Sequence, residues 1–450
     1  MRKIMPKKES IHHPASPFLR YEIREIVEVA NELKEKGKEI TWENIGDPVA
    51  RGHRPPDWIR DILVECLQDP ESFAYGPSQG LLESREFLSS QTNQNYGTSL
   101  KAEDIVFFNG VGDAIATLYR SLDPQARILL PSPVYPTHFA LEAFHSHDNP
   151  IQYELNPKTG WSPDLAQIRK SLELNPQIVG LLLVNPDNPT GSVHSREVLE
   201  EFVSLAREFH VFLIVDEIYA GIQIDSEHDT KIAGLLDDVP AILLQGISKL
   251  LPWPGGRCGW MEFHHHGNSN LLKLLDTVNA HKRLEVGSTT LPQKILPQVL
   301  GDSRLQIIQS DWTHFLKKRI HTVENSFGDI QGLELKTPKG AFYATPYFDK
   351  EQVDDKFFVP MEARYHQVIQ PYGKGASEDK KFVLQCMAGP GICVVPLSSF
   401  HTQVQGFRMT LLERDDREFD RICAELRRTL LSYLNAGLKK KEGLPAARTA

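Results

Sequence analysis

The chain predicts an α/β fold: a mostly parallel sheet flanked by helices, followed by a smaller α+β unit. Three observations predict it. Continuous apolar runs recur at about 105–108, 127–131, 178–184, 211–216, 241–245 and 259–263, and unbroken runs of this kind suit strands covered on both faces. Between the third and fourth runs, Val198, Phe202, Leu205 and Phe209 recur at helical spacing, giving the crossover helix that parallel neighbours require. After about residue 300 this strand-helix alternation stops.

The first strand runs into Asn109-Gly110-Val111-Gly112-Asp113 and then a helical pattern. A strand-turn-helix of this form presents a helix N-terminus to an anion. As a dinucleotide fingerprint it fails, because Ile115 occupies the third glycine position, and this disfavours a nicotinamide dehydrogenase. Asp113 beside such a turn reads as an acid favoured in the first turn of a helix. The third strand ends in Asn185-Pro-Asp-Asn188-Pro-Thr-Gly191, the fourth in Asp216-Glu217-Ile-Tyr219. Ligands of parallel sheets sit beyond the carboxyl ends of the strands, so Asp216 points into a crevice, although an Asp after a strand is also an ordinary cap. The fifth strand leads to Ser248-Lys249 and a glycine-rich turn reaching Arg257 and Gly259. A lysine at a strand end among apolar neighbours can lose its proton and attack a carbonyl, as Schiff-base chemistry requires; alone it would read as a surface charge. Farther on, a helical stretch with Trp312, Phe315 and Ile320 precedes short strands at about 341–343, 391–395 and 407–409. A final amphipathic helix after Asp416 carries Phe419, Ile422, Leu426 and Leu430 on one face.

Composition narrows the function. The length of 450 residues is long for one core. Hydrophobic content of 40% with 24% charged residues is that of an ordinary globular protein. A net charge of −9 argues against nucleic acid and anionic membranes as main partners. Cysteines at 66, 258, 386, 393 and 423 form neither a disulfide framework nor a zinc spacing, which suits a reducing, cytoplasmic setting. The basic residues 1–8 are followed by no apolar run and do not read as a signal peptide. No stretch approaches the length needed to cross a bilayer. Residues 439–448 read as a frayed tail. The run His264-His265-His266 reads as a surface turn, and no metal site is expected.

In their order along the chain, Asn-Pro-Thr-Gly, Asp-Glu-Ile-Tyr, Ser-Lys and Gly-x-Arg-x-Gly resemble the pyridoxal-phosphate aminotransferases of fold type I, the aspartate aminotransferase superfamily. The resemblance runs from near Tyr21 to about Asn435. It implies that Lys249 binds the cofactor covalently and shuttles the proton of the substrate α-carbon, while Asp216 keeps the ring nitrogen protonated. It assigns Asn188 and Tyr219 to the phenolic oxygen and a stacked ring to Tyr135. The phosphate falls to the backbone of Gly110, Val111 and Gly112 with Ser248 and Arg257, and Tyr75 would reach the phosphate of a neighbouring subunit, implying a homodimer with shared active sites. Arg408 would grip the substrate α-carboxylate, with Gly46 in a loop over the substrate, Asn188 nearby, and Arg24 the next candidate for the grip. The implied division is an N-terminal segment 1–55 contributing to the small domain, a large cofactor-binding domain 56–300 and a small domain 301–450. The substrates implied are an L-amino acid and a 2-oxo acid in ping-pong exchange. The segments Tyr21-Glu-Ile-Arg24, Asn44-Ile-Gly-Asp-Pro48 and Asn109-Gly-Val-Gly are similar to bacterial alanine-type enzymes, which use glutamate or alanine with 2-oxoglutarate or pyruvate. Departures are Gly246-Ile-Ser-Lys, one phosphate hydroxyl short, and Pro252-Trp-Pro in the cofactor loop. A carbon-sulfur β-lyase or a decarboxylase shares the same cofactor residues. A cofactor-sensing transcription regulator would need an added helix-turn-helix, for which the expected span leaves no room.

Overall fold

The computed structural model describes residues 11–19, 22–224, 231–264, 267–349 and 358–441. In chain order the strands among them are β1 Thr41–Trp42, β2 Ile105–Phe108, β3 Arg127–Ser132, β4 Gln152–Asn156, β5 Ser162–Pro163, β6 Ile178–Val184, β7 Phe212–Asp216, β8 Ala241–Gly246 and β9 Gly259–His264. These are followed by β10 Leu333–Glu334, β11 Tyr343–Ala344, β12 Tyr347–Phe348, β13 Ile392–Cys393, β14 Val395–Pro396 and β15 Phe407–Thr410. Eight of them form one sheet in the order β2-β9-β8-β7-β6-β3-β4-β5. The run β8-β7-β6-β3-β4 is parallel, β9 is antiparallel to both neighbours, and β5 closes the other edge antiparallel.

The six apolar runs coincide with β2, β3, β6, β7, β8 and β9. They are apolar because helices cover both faces. On one side Val106, Ile214, Ile242 and Leu244 pack against Ile115 and Leu118 of the helix Val111–Ser121. On the other, Leu181, Leu183, Leu213 and Val215 meet Leu199, Phe202 and Val203 of the helix Arg196–Phe209. Each large aliphatic side chain withdrawn from water contributes about 1.5–3 kcal/mol, which makes this double-sided burial the main source of the sheet's stability. β4 and β5 were not anticipated. In β4 only Tyr153 and Leu155 are buried, alternating with more exposed residues, so a strand near the edge offers no continuous apolar run. His264 is a correction. It is not in a surface turn but is the buried last residue of β9, paired with Ala241, its ring 3.3 Å from a Glu262 carboxylate oxygen. Residues 265 and 266 lie outside the described residues, as do the basic residues 1–8, Tyr21 and the tail beyond 441. Residues 439–441 fall within the bounds of the last helix, Asp416–Lys441.

Parts of the chain outside the sheet reach the carboxyl ends of the parallel strands, where Gly46, Tyr343 and Arg408 share a cavity with Asp216. The helix Glu22–Glu35 lies against helices Ala363–Gly373 and Glu378–Ala388, and β1 pairs in parallel with β13 through Thr41↔Ile392 and Trp42↔Cys393. β15 lies between β11 and β14, and Phe419, Ile422, Leu426 and Leu430 are all buried as the amphipathic pattern requires. The strand expected at 341–343 begins only at Tyr343, because Ala341 adopts a left-handed conformation with φ +54°.

Candidate active site

Asp216 stands level with Val184 and Leu244 on the adjoining strands. The chain turns beyond those ends through Asn188 after β6 and Ser248-Lys249 after β8. Together with the 110–112 turn after β2, they wall a cavity of about 610 Å³. The cavity gathers Gly46, Val111, Gly112, Tyr135, Asn188, Asp216, Tyr219, Ser248, Lys249, Arg257 and Arg408, residues drawn from across the chain. Tyr75 stands apart, 91% exposed, in a separate surface concavity with Phe73 and Val286.

One end of the cavity is built for an anion. Gly110 has φ +86°, and a methyl group there would sit 2.6 Å from the Arg257 guanidinium, so only glycine lets the arginine approach the turn. Arg257 is fixed by donating to the carbonyls of Asn109 and Pro254, each at 3.1 Å. The Cβ position of Gly112 meets no atom within 4 Å, although Gly112 lines the cavity at the start of the helix Val111–Ser121. Backbone donors, a hydroxyl at Ser248 and a fork of guanidinium donors around open space are what a phosphate needs. Asp113 does not intrude: its carboxylate turns back to accept from the Asn109 N–H at 3.0 Å.

At the centre, the Lys249 amine donates to the Gly46 carbonyl at 2.7 Å and lies 5.7 Å from the ring centres of Tyr219 and Phe342. Withdrawal from water pushes its pKa down to about 8, with Arg408 and Arg257 adding to the effect and Asp47 and Asp216 opposing it. Asp216 is 2% exposed; one carboxylate oxygen accepts from the Ile218 N–H at 3.0 Å, and the other is 3.2 Å from the His138 ring. The hydroxyls of Tyr219 and Tyr343 are 2.7 Å apart. Burial drives the Tyr219 hydroxyl well above its ordinary pKa, so it is held protonated and available as a donor.

At the far end, Arg408 donates to Asn188 Oδ1 at 2.9 Å and to the Asn44 carbonyl at 2.6 Å, and its guanidinium lies 4.3 Å from the Tyr343 ring centre. Its Nε is buried without a hydrogen-bond partner, as are both side-chain amide atoms of Asn44. Gly46 is required here too, since a methyl group would overlap the Tyr343 hydroxyl. His138, Tyr343 and Asp47 are functional neighbours that sequence reasoning missed. Tyr343 sat in a run read as core strand, and no local signal tied His138 to Asp216.

These features fit pyridoxal phosphate: an open anion cradle, a buried carboxylate at the sheet end, and between them a lysine whose ammonium form is disfavoured. Among the described residues no group of three or more His, Cys, Asp or Glu is placed to hold a metal ion, and all five cysteines are buried and unbridged. Among the described residues no helix is long and apolar enough to cross a membrane.

Residues 43–426 match the family described as aminotransferase class I and II. The chain is 43% identical over 418 residues to an uncharacterized aminotransferase of Methanocaldococcus jannaschii, covering 92% of this chain and 97% of that protein. It is 30% identical over 351 residues to an alanine aminotransferase of Mycobacterium tuberculosis, covering 74% and 77%. Among solved structures, alanine aminotransferase from Pyrococcus furiosus superposes with a TM-score of 0.82 at 25% identity over 93% of this chain and 99% of that one. A double mutant of Thermus thermophilus aspartate aminotransferase shares the fold at a TM-score of 0.76, 20% identity, over 93% of this chain and 99% of that one. The chain belongs to the class I and II aminotransferases, fold type I enzymes that use pyridoxal phosphate and act on amino and 2-oxo acids.

Proposed function

We propose that the chain exchanges an amino group between an L-amino acid and a 2-oxo acid in a ping-pong cycle, with glutamate or alanine as donor and 2-oxoglutarate or pyruvate as acceptor. The observation that carries this reading is the buried Arg408, held in the cavity that contains Lys249, with Nε left without a partner. A planar fork of donors there suits an α-carboxylate. Arg24 lines the same cavity from the helix Glu22–Glu35 and supplies a second cation for the distal carboxylate of a five-carbon dicarboxylic acid. The similarity to alanine aminotransferases supports the same substrates.

Bound in the cavity, pyridoxal phosphate supplies an electron sink for the substrate α-carbon. Gly110, Val111, Gly112, Ser248 and Arg257 would hold its phosphate, and Tyr135 would cover one ring face. Asp216 would keep a proton on the ring nitrogen, its carboxylate oriented by His138. Asn188 and Tyr219 would donate to the phenolic oxygen. Lys249 would hold the cofactor at its carbonyl carbon and, once displaced by the substrate amine, carry the α-proton on Nζ. Tyr75 would serve the phosphate of a second subunit in a homodimer. Residues 1–55 with 301–450 would form a unit closing over residues 56–300. The buried, unbridged cysteines support a cytoplasmic setting.

A panel of L-amino acids against 2-oxoglutarate and pyruvate, with products identified, tests the assignment. Glutamate with pyruvate and alanine with 2-oxoglutarate should rank highest in kcat/KM; an aromatic or sulfur-containing donor ranking first would overturn the substrate class.

A further inference from the structure

A second, smaller cavity of about 130 Å³ lies outside the catalytic one, where the helix Arg196–Phe209 begins. The segment after Asn188 supplies Thr190, Ser192, His194 and Ser195; the segment before Tyr343 supplies Lys336 and Lys339. Ser195 is the N-cap of this 14-residue helix, yet its side chain makes no capping bond, leaving the positive end of the helix without its usual oxygen acceptor. His194 is only 5% exposed, its ring stacks on Phe202, and that ring makes no hydrogen bond among the described residues although it lines the cavity. Burial holds its pKa down at about 4, so at neutral pH the neutral ring offers one N–H.

We propose that this cavity binds a small oxyanion such as inorganic phosphate or sulfate, between the helix N-terminus and His194 on one side and Lys336 with Lys339 on the other. The volume suits a single tetrahedral anion and excludes a nucleotide. Acidic groups lie nearby, among them Glu197 in the first turn of the same helix. Asp187 lies behind Thr190, accepting from its hydroxyl at 2.5 Å, and burial raises its pKa to about 7, which weakens its repulsion; Glu324 accepts from the Thr337 hydroxyl. An anion here would bridge the chain segments that carry Asn188 and Tyr343 into the catalytic cavity.

The test uses the cofactor-loaded enzyme, so that the cofactor's own phosphate cradle is filled, and follows the melting temperature against phosphate, sulfate and chloride at matched ionic strength. Phosphate and sulfate should give a saturable rise, distinct from the linear rise of a surface-excluded salt. Lys336→Gln should weaken the apparent Kd by about tenfold or more, as loss of a charge-assisted contact does, and His194→Phe should weaken it as well. Neither residue belongs to the catalytic machinery, so kcat with saturating substrate should stay unchanged in chloride buffer. A non-saturable rise, the same rise with chloride, or an equal midpoint for the parent and Lys336→Gln would overturn the site.

Discussion

Lys249 titrates in the cavity, and its environment fixes the sign of the response. With its pKa lowered to about 8 from 10.5, the amine becomes neutral as pH rises through 8. Competitive acylation of the cofactor-free protein should therefore label Lys249 with a midpoint near pH 8, whereas a midpoint above 10 would place the amine in ordinary solvent. The unfolded chain holds this proton longer than the folded one between about 8 and 10.5, so the group's contribution to stability is least below 8 and rises with pH across that window. Asp216→Ala should depress transamination by orders of magnitude in a folded protein. A single-turnover rate within about fivefold of the parent, roughly 1 kcal/mol, would mean that the ring nitrogen has another partner. For Arg408→Leu, loss of one member of a buried charged pair costs about 2–5 kcal/mol, or roughly 30-fold to several thousandfold in kcat/KM. The loss should appear with amino acids and vanish with an amine lacking the carboxylate; equal handling of the amino acid by both proteins would move the clamp elsewhere, with Arg24 the next residue to test. Lys249 and Asp216 were legible from their strand-end positions, Asn188, Arg257 and Arg408 through the motifs that carry the family resemblance, and all five line one cavity. His138 and Tyr343 were not, because their partners Asp216 and Tyr219 lie 78 and 124 residues away and nothing in a one-dimensional pattern links a buried histidine or tyrosine to such a neighbour.

Among the elements, the six strands from β2 to β3 in the sheet order were readable and the β4-β5 edge was not. Burial on both faces imposes unbroken apolar runs, whereas β4 alternates and β5 spans only Ser162–Pro163. Of the short strands of the C-terminal part, β11 and β15 fall within a residue or two of the expected segments, the run at 391–395 divides into β13 and β14, and β10 and β12 were not expected; such limits are set by backbone conformation such as the left-handed Ala341. The segment at Gly46 makes the most demanding contact, with Tyr343 on β11 filling the space a side chain would need. Gly46→Ala should displace this segment and weaken the Lys249 contact with its carbonyl. Overpacking of this kind costs about 1–3 kcal/mol, so KM for the amino donor should rise by roughly 5- to 150-fold. Adding Tyr343→Phe removes the overlapping hydroxyl and should recover part of the loss. A double variant no better than the single one would show that the hydroxyl is not the obstacle.

For the molecule as a whole, the exposed surface carries an expectation of its own. Tyr75 is 91% exposed, Phe73 75% and Leu284 84%, with Val286 beside Tyr75 in the same concavity. Large apolar side chains grouped in this way mark association surfaces, and sedimentation should show a homodimer; a fully active monomer would refute shared sites. All eight strands of the main sheet lie between residues 105 and 264, and with them the anion cradle, Asp216 and Lys249. The clamp is closed across a far longer interval, since Arg408 donates to the Asn44 carbonyl 364 residues earlier. This separation gives the protein an order of completion as it leaves the ribosome. The cofactor end is fully encoded soon after the middle of the chain has emerged, while the substrate end stays without its arginine until nearly the whole chain has been translated. A nascent chain stalled before residue 408 would carry the groups proposed to hold the cofactor and lack the arginine proposed to hold the substrate carboxylate.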